Sequence, residues 1–126
     1  MKLSTHAALV TLLVASGASA HAACVYPQAP QNFPNGATAT KEQMLTAQGE
    51  IKEYSKTVQE VYLPCLEQEK NEAIAALDPN DPEYAQKKSS LEAIQAKKHN
   101  AAIDELQAIA GHWSEEIKAF QAQAKQ

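Results

Sequence analysis

Apolar residues recur at steps of three and four over residues 44–65, and this spacing constrains the fold more than any other feature of the chain. The steps alternate strictly, so the apolar residues lie along one seam of a helix, in the heptad pattern typical of coiled coils. Thr40 and Gln43 match the capping box found at many helix starts, so we expect this helix to begin at about residue 41. The seam consists of Met44, Ala47, Ile51, Tyr54, Val58, Val61 and Cys65.

Pro64 interrupts this seam, because proline has no amide to bond to the carbonyl of Glu60. We expect a kink or a local loosening near residues 60–64. The helix should then continue to about residue 77 with its apolar stripe in a shifted phase. The stripe resumes at Leu66, Ala73, Ile74 and Leu77.

A turn with the sequence DPNDP follows at residues 78–82. Asp81 is a suitable N-cap and Pro82 suits the first helical position, so a second helix is predicted over about residues 82–123. Gly111 could divide this helix, with Ser114 capping a short final one, but we expect it to be continuous. Its clearest apolar stripe is His99, Ile103, Leu106, Ala110, Trp113, Ile117 and Phe120.

Two long helices joined by a tight turn predict an all-α fold, a long antiparallel helical hairpin over residues 40–126. Folding back about residues 80–81 pairs positions whose numbers sum to about 161. Ile51 then faces Ala110 and Cys65 faces the region of Ala96; the same register pairs Ala47 with Trp113 and Met44 with Ile117. A two-helix hairpin buries little apolar area, so we expect a further stabiliser or a partner.

The first 20 residues have the features of a secretory signal peptide. Lys2 is followed by an apolar run at residues 7–15, and small residues permit cleavage after Ala20 or Ala22. The run is shorter than the roughly 20 residues that span a bilayer, and no other segment is apolar enough, so we expect no membrane span. The sequence therefore predicts a periplasmic or secreted protein.

The charge balance argues against several classes of partner. The chain has no arginine and a net charge of −4. Loss of Lys2 with the signal peptide leaves 10 lysines against 15 acidic residues, a net charge of −5. Nucleic acids and anionic lipid surfaces attract basic proteins, and phosphate recognition favours arginine, so we expect none of these partners.

Residues 21–39 form an extended, Pro-rich segment, called the strap below. Both cysteines, Cys24 and Cys65, lie outside the signal peptide, and an even number in an exported chain predicts a disulfide. The 16 steps from Cys24 to Thr40 reach roughly 50 Å in polyproline II, whereas the helix from residue 41 to 65 is about 36 Å long. The strap can therefore turn at the Asn-Gly pair of residues 35–36 and run back along the first helix to Cys65.

Two alternatives for the strap remain open. It could be a disordered spacer with the two thiols apart, or Cys24 could carry a lipid anchor. His21 stands where a lipidation motif normally has an apolar residue, so we favour the disulfide over the lipid anchor.

One pattern of residues extends over positions 24–66. It consists of Cys24, Pro27, Pro30, Pro34, Gly36, Ala39, Thr40, Glu42, Met44, Ala47, Gln48, Lys52, Tyr54, Tyr62, Cys65 and Leu66. This pattern resembles that of a group of small exported proteins of proteobacteria, whose function is uncharacterised. The resemblance implies an exported, helical form with paired cysteines, and it implies no activity and no catalytic residue.

Residues that could carry chemistry are scarce. No set of nucleophile, base and orienting group is recognisable, so we expect no enzyme, no catalytic residue, no resident metal and no cofactor. His112 lies three and four residues before Glu115 and Glu116, a spacing that permits a metal site. We expect a surface ion pair there instead, because two or three ligands without a cage bind metal weakly.

One copper hypothesis remains as a further alternative. Cleavage after Ala20 would make His21 the new N-terminus, and the disulfide would bring it near His99, which faces the region of Tyr62 in the predicted register. Imidazole and amine nitrogens suit Cu(II). Cleavage after Ala22 would instead remove His21. The alternative to copper binding is that His99 is a partly buried, hydrogen-bonded histidine at the edge of the core.

The main functional prediction is an exported, non-enzymatic helical protein that acts by binding a protein partner or its own copies in the cell envelope. The amphipathic hairpin favours helix packing as its mode of contact. The alternatives are a periplasmic chaperone-like or stress protein and, further, a copper-binding module that uses His21 and His99.

Overall fold

The computed structural model describes residues 23–125, and every regular element in that range is helical, which confirms the all-α class. Helix α1 spans Lys41–Thr57, a π-helical turn spans Val58–Tyr62, α2 spans Leu63–Ala75 and α3 spans Tyr84–Gln123. The first three are continuous, and we call them the first arm. The predicted signal peptide, both cleavage positions and His21 lie outside the described residues.

Helix α1 begins at the capping box. The Gln43 amide donates to Thr40 Oγ1 over 3.2 Å, and the Thr40 amide donates to Gln43 Oε1 over 2.8 Å. Glu42 lies in the first turn, where a negative charge favours the positive end of the helix dipole. The first arm therefore starts at a well-defined residue.

The loosening expected near Pro64 takes the form of a π-helical turn directly before it. The amide of Leu63 donates to the carbonyl of Val58, five residues earlier, instead of four as in an α-helix. Pro64 cannot donate to the carbonyl of Glu60, so the regular α-helical ladder is already incomplete at this point.

This turn moves the buried stripe by one residue. Val61, predicted to lie in the seam, is 61% exposed, and Tyr62 is buried in its place. Leu66 then replaces Cys65 as the fully packed residue of the next turn. The predicted seam was therefore wrong beyond Val58, because a π turn holds more residues than an α turn.

The connection between the arms holds residues 76–83. The first arm ends at Ala75, and α3 begins at Tyr84, two residues after the predicted start. The prediction of Asp81 as the N-cap was wrong, because Glu83 is the N-cap residue of α3; Asp81 Oδ1 accepts from the Glu83 amide over 2.8 Å within the turn before the helix. Helix α3 passes through Gly111 without a break, as expected.

The strap is tied to the first arm by the predicted disulfide between Cys24 and Cys65. Residues 27–32 lie beside Glu53 and Thr57, and residues 32–34 lie beside Gln43 and Ala47. The strap therefore runs antiparallel to the first arm. It turns at Asn35, whose carbonyl accepts from the amides of residues 38 and 39 over 3.1 and 2.8 Å.

The core lies where the strap and the two arms meet. The first arm contributes Tyr54, Val58, Tyr62 and Leu66, and α3 contributes Ala102 and Ile109. The strap completes this cluster with partly buried side chains: Cys24, Tyr26, Ala29 and Phe33. It is thus a third layer of the structure.

Residues early in the first arm lie beside residues late in α3. Ile51 lines one hollow with Ala110, and Glu69 further along the first arm bonds Gln95 and Lys98, so the order of contacts is antiparallel, whereas the predicted sum of about 161 stays a prediction. Helix α2 packs more extensively against α3 than α1 does. The pairing of Ala47 with Trp113 and of Met44 with Ile117 stays a prediction.

The predicted stripe of α3 is not the centre of its buried face. Ala102 and Ile109 are buried, whereas His99 and Ala110 are exposed. The strap covers one flank of α3, so the buried sector of this helix lies between the strap and the first arm. The predicted stripe lies at the edge of that sector farther from the strap. The expectation of a partly buried His99 was wrong.

Candidate functional site

Two grooves run between the first arm and α3, and the strap occupies one of them. The N-terminal part of the strap, near Cys24, is anchored by a cluster of tyrosines. The hydroxyls of Tyr26 and Tyr54 share a hydrogen bond of 2.6 Å, and the Tyr26 ring meets the Tyr62 ring edge-on with centroids 4.8 Å apart. Edge-on contacts of this kind are favourable.

Burial and the neighbouring Glu105 keep these phenols neutral. Desolvation raises the pKa of Tyr26, and the hydrogen bond to Tyr54 and the Glu105 carboxylate raise it further. Desolvation also raises the pKa of Tyr54. The cluster therefore holds the strap and offers no ionised nucleophile near neutral pH.

The C-terminal part of the strap, residues 33–37, is held by α3. The Phe33 ring lies on the His112 ring with centroids 4.4 Å apart. The Gly36 amide donates to Glu116 Oε2 over 2.6 Å, and His112 Nε2 lies 3.3 Å from Glu116 Oε1. Further along, Gln123 Nε2 donates to the carbonyl of Ala37 over 3.0 Å.

These contacts separate the carboxylates that the sequence placed near His112. Glu116 turns to the strap, and Glu115 pairs with Lys118 over 2.8 Å. In residues 23–125 no group of three or more His, Cys, Asp or Glu side chains is placed to hold a metal ion. His112 and Glu116 thus hold the strap on α3.

The second groove, on the side away from the strap, is open. It has a volume of about 580 Å³, and its apolar lining comes from both arms. We call it the open groove. Its apolar residues are Ile51, Leu63, Ile103, Leu106, Ile109 and Ala110, and its polar ones are Tyr54, Ser55, Gln59 and Gln107.

The open groove continues toward the connection between the arms. Leu63 also lines a second hollow of about 360 Å³, called the loop-end hollow. Its other residues are Leu66, Glu67, Lys70, Glu92, Gln95, Ala96, His99 and Asn100. Together the two hollows form one face along the hairpin, called the uncovered face because no other part of residues 23–125 lies over it.

Charge is confined to one end of this face, the loop-end hollow. Among residues 23–125 no charged side chain lines the open groove, whereas Glu67, Lys70 and Glu92 line the loop-end hollow. Lys70 Nζ lies 2.7 Å from Glu67 Oε2, and this hydrogen bond lowers the pKa of Glu67. The open groove is therefore suited to an uncharged, apolar surface.

A polar contact on the strap side joins α2 to α3. Glu69 Oε1 accepts from Lys98 Nζ over 2.8 Å and from Gln95 Nε2 over 3.1 Å. The Lys98 contact is the main reason why the pKa of Glu69 is lowered. Gln95 is buried, so this contact joins α2 and α3 at a packed position.

The remaining predicted site residues are the two cysteines and the histidines of the copper hypothesis. Cys24 and Cys65 are bonded to each other. His99 is exposed at the rim of the loop-end hollow, and its proposed copper-binding partner His21 lies outside the described residues. The copper hypothesis therefore stays a prediction.

Sequence reasoning missed the open groove as a site. The signal was present in the α3 stripe, because Ile103, Leu106 and Ala110 were identified as apolar and assigned to the core.

No helix in the described part of the chain has the length and hydropathy to cross a membrane. Comparison with protein families, with curated proteins and with solved structures finds no match.

Proposed function

We propose that this chain is an exported, non-enzymatic protein that acts by binding another protein chain in the open groove. The observation that carries the proposal is the asymmetry of the hairpin. Its two grooves are both apolar, and within residues 23–125 the chain covers only one of them, with its own strap. An apolar groove without a cover is a characteristic of interaction sites.

The dimensions of the uncovered face suit a helix. From Ile51 to Lys70 the first arm rises about 28 Å, which corresponds to about five helical turns. The polar side chains that line the open groove carry hydroxyl or amide groups, as Ser55 and Gln107 do. These groups form hydrogen bonds without requiring a charged partner. A helix with an apolar stripe would lie along such a surface as in helix-in-groove recognition.

Export is supported by two observations of different kinds. The sequence has the features of a signal peptide. The strap carries a disulfide, and disulfides form and persist in oxidising compartments. A periplasmic or secreted location follows from them as part of the proposal.

Photocrosslinking tests the groove directly. A benzoylphenylalanine at Gln107, which lines the open groove, should give an adduct with a protein chain after irradiation of the exported protein in cells. The same probe at Ala108, which is exposed but does not line the groove, is the matched control and should give none. Equal labelling from both positions, or none from Gln107, would contradict the proposal.

A second candidate is a chaperone-like protein, favoured by the uncharged and shallow character of the open groove. A chaperone would yield many adducts of different mass from Gln107, and a dedicated partner would yield one. Purified protein would also suppress aggregation of an unfolded client at substoichiometric ratios. A single adduct together with no suppression would exclude this candidate.

A further inference from the structure

We infer that Glu69 forms a binding site for the α-ammonium group of Ala23, a group that signal-peptide cleavage after Ala22 creates. The site lies on the strap side of the hairpin, away from the open groove, so the inference stands independently of the proposed function. It selects one of the two cleavage positions that the sequence permits. It is carried by two buried oxygen atoms that accept no hydrogen bond.

These oxygens belong to two side chains that are bonded to each other between α2 and α3. Glu69 Oε1 accepts from Lys98 Nζ and from Gln95 Nε2. Glu69 Oε2 and Gln95 Oε1 are also buried, but neither accepts from any donor among residues 23–125, and Gln95 as a whole is only 8% exposed. A buried acceptor without a donor is costly, because it has lost its hydration. Both atoms are acceptors, so the group that completes the site must be a donor.

The strap brings its first described residues to this carboxylate. Cys24 is bonded to Cys65 with the two Cα atoms 5.8 Å apart, and Glu69 lies four residues after Cys65, on the same face of α2. Because the strap runs antiparallel to the first arm, the chain before Cys24 leads from the level of Cys65 toward Glu69.

The electrostatics of Glu69 agree with this path. The Lys98 contact is the main cause of the lowered pKa of Glu69, and the Cys24 amide lowers it further. The Cys24 amide therefore lies near the carboxylate, although Oε2 still has no hydrogen-bond partner. The start of the strap and the unpartnered oxygen are thus in the same neighbourhood.

Ala23 is the next residue along this path. Its nitrogen lies within about 3.7 Å of the Cys24 nitrogen, because only two backbone atoms separate them. In the uncleaved chain this nitrogen is a neutral amide with one N–H. As a free terminus it is an ammonium with three N–H donors that rotates about a single bond, and a hydrogen bond between an ammonium and a carboxylate is among the strongest in proteins.

The cleavage position decides whether this group exists. Cleavage after Ala20 would leave a peptide amide at Ala23 and would place the ammonium two residues further along the chain, about 7 Å away in an extended strap. Cleavage after Ala22 places it next to Cys24. The same cleavage removes His21 and so excludes the copper hypothesis.

The inferred contact makes the anchorage of the strap depend on export. The disulfide holds Cys24, and the ion pair would hold the residue before it only after the signal peptide has been removed. Ala23 is exposed and the Glu69 side chain is 30% exposed, so both groups keep part of their hydration. The contact should therefore be worth less than a fully buried ion pair.

The mass of the exported protein, purified from cells, tests the cleavage position. We expect a disulfide-bonded chain that begins at Ala23. A chain that begins at His21, or at any other residue, would overturn the inference.

Selective acetylation of the α-amine tests the contact with Glu69. At mildly acidic pH this amine reacts before the lysines, because its pKa is lower. Acetylation of the exported protein should lower its folding equilibrium constant, measured by urea unfolding, roughly tenfold, because it removes a partly exposed hydrogen bond between charged groups. In Glu69→Gln the same acetylation should change the constant less than twofold. Glu67→Gln is the matched control on α2, and there the tenfold loss should persist.

The reactivity of the α-amine provides a measurement that needs no variant. The amine should be acetylated about tenfold more slowly in the folded protein than in urea, whereas the exposed Lys97 should react at similar rates in both. Equal rates for the α-amine would overturn the inference. So would an acetylation loss of the same size in Glu69→Gln as in the unchanged protein, or no loss in the unchanged protein.

Discussion

Gly36 marks the closest approach of the strap to α3, and its replacement by alanine tests how the strap is held. A Cβ atom at this position would lie 2.8 Å from the carbonyl carbon of Glu116 and 3.0 Å from the amide nitrogen of Phe120. Ordinary contacts begin at about 3.4 Å, and the atoms that would be met belong to helix backbone, which cannot move aside. Gly36 has no positive φ, so its role is to leave space and not to permit an unusual turn.

The expected cost follows from the hydrogen bond at the same residue. The carbonyl oxygen of Glu116 is the atom nearest to this Cβ and would overlap it, so the turn must retreat by about 1 Å or more, which takes the Gly36 amide beyond bonding distance of Glu116 Oε2, now 2.6 Å away. A hydrogen bond to a charged group contributes about 1.5–3 kcal/mol, and alanine regains about 0.4–1 kcal/mol by restricting the unfolded chain. Gly36→Ala should therefore lower the free energy of unfolding by about 1–2 kcal/mol.

Urea unfolding of the disulfide-bonded protein, followed by circular dichroism, measures this change. Gly49 and Gly111 provide matched controls, because both are exposed in helices and a Cβ at either meets no atom within 4 Å. Gly49→Ala and Gly111→Ala should each raise stability by about 0.5–1 kcal/mol. If Gly36→Ala were also neutral or stabilising, the strap would not be seated on α3 as described.

Three further changes probe the strap and its anchors. Replacing Cys24 and Cys65 by alanine should cost about 4 kcal/mol in the same urea assay, since the bond closes a loop of sequence separation 41; a cost below about 1 kcal/mol would contradict the chain-entropy argument. Tyr26 and Tyr54 have raised pKa values in the folded state, so their contribution is present below about pH 10 and is lost as pH rises further; the double Tyr→Phe variant should lose less stability than wild type between about pH 9 and 11. Glu69 has a lowered pKa, so its contribution is lost as pH falls below the ordinary glutamate value, and Glu69→Gln should flatten the acid limb of a stability–pH curve.

The first arm shows what a heptad pattern can and cannot predict. Met44, Ala47, Tyr54 and Val58 are buried as the pattern indicated, because they depend only on helical periodicity. Val61 was assigned wrongly, since the π turn before Pro64 changes the number of residues per turn. Proline marks where a helix is disturbed, and the form of the disturbance depends on how neighbouring layers pack.

The strap was predictable in outline and not in position. Its length, its prolines and the Cys24–Cys65 pair indicated an extended segment returning along the first arm, and the structure has this path. Which flank of the hairpin it takes depends on contacts such as Phe33 with His112 and Gly36 with Glu116. Those contacts join residues about 80 positions apart, and nothing local in the sequence indicates them.

The same choice of flank defines the candidate site. The stripe containing Ile103, Leu106 and Ala110 was expected to face the core of the hairpin. Because the strap packs on the other flank of α3, part of this stripe lines the open groove instead. An apolar stripe identifies a surface that must be covered, but only the tertiary structure shows whether the chain covers it itself.

The central claim is that the open groove is covered by another protein chain in the working state of this protein. Hydroxyl-radical footprinting in the exported state measures this at individual side chains, with Leu63 and Ile103 reporting on the groove and Val61, 61% exposed and outside it, as the internal reference. We expect labelling of Leu63 and Ile103 to be strongly suppressed in the exported state and to rise when the purified protein is diluted, while Val61 stays unchanged. Equal labelling of the groove residues under both conditions would contradict the claim.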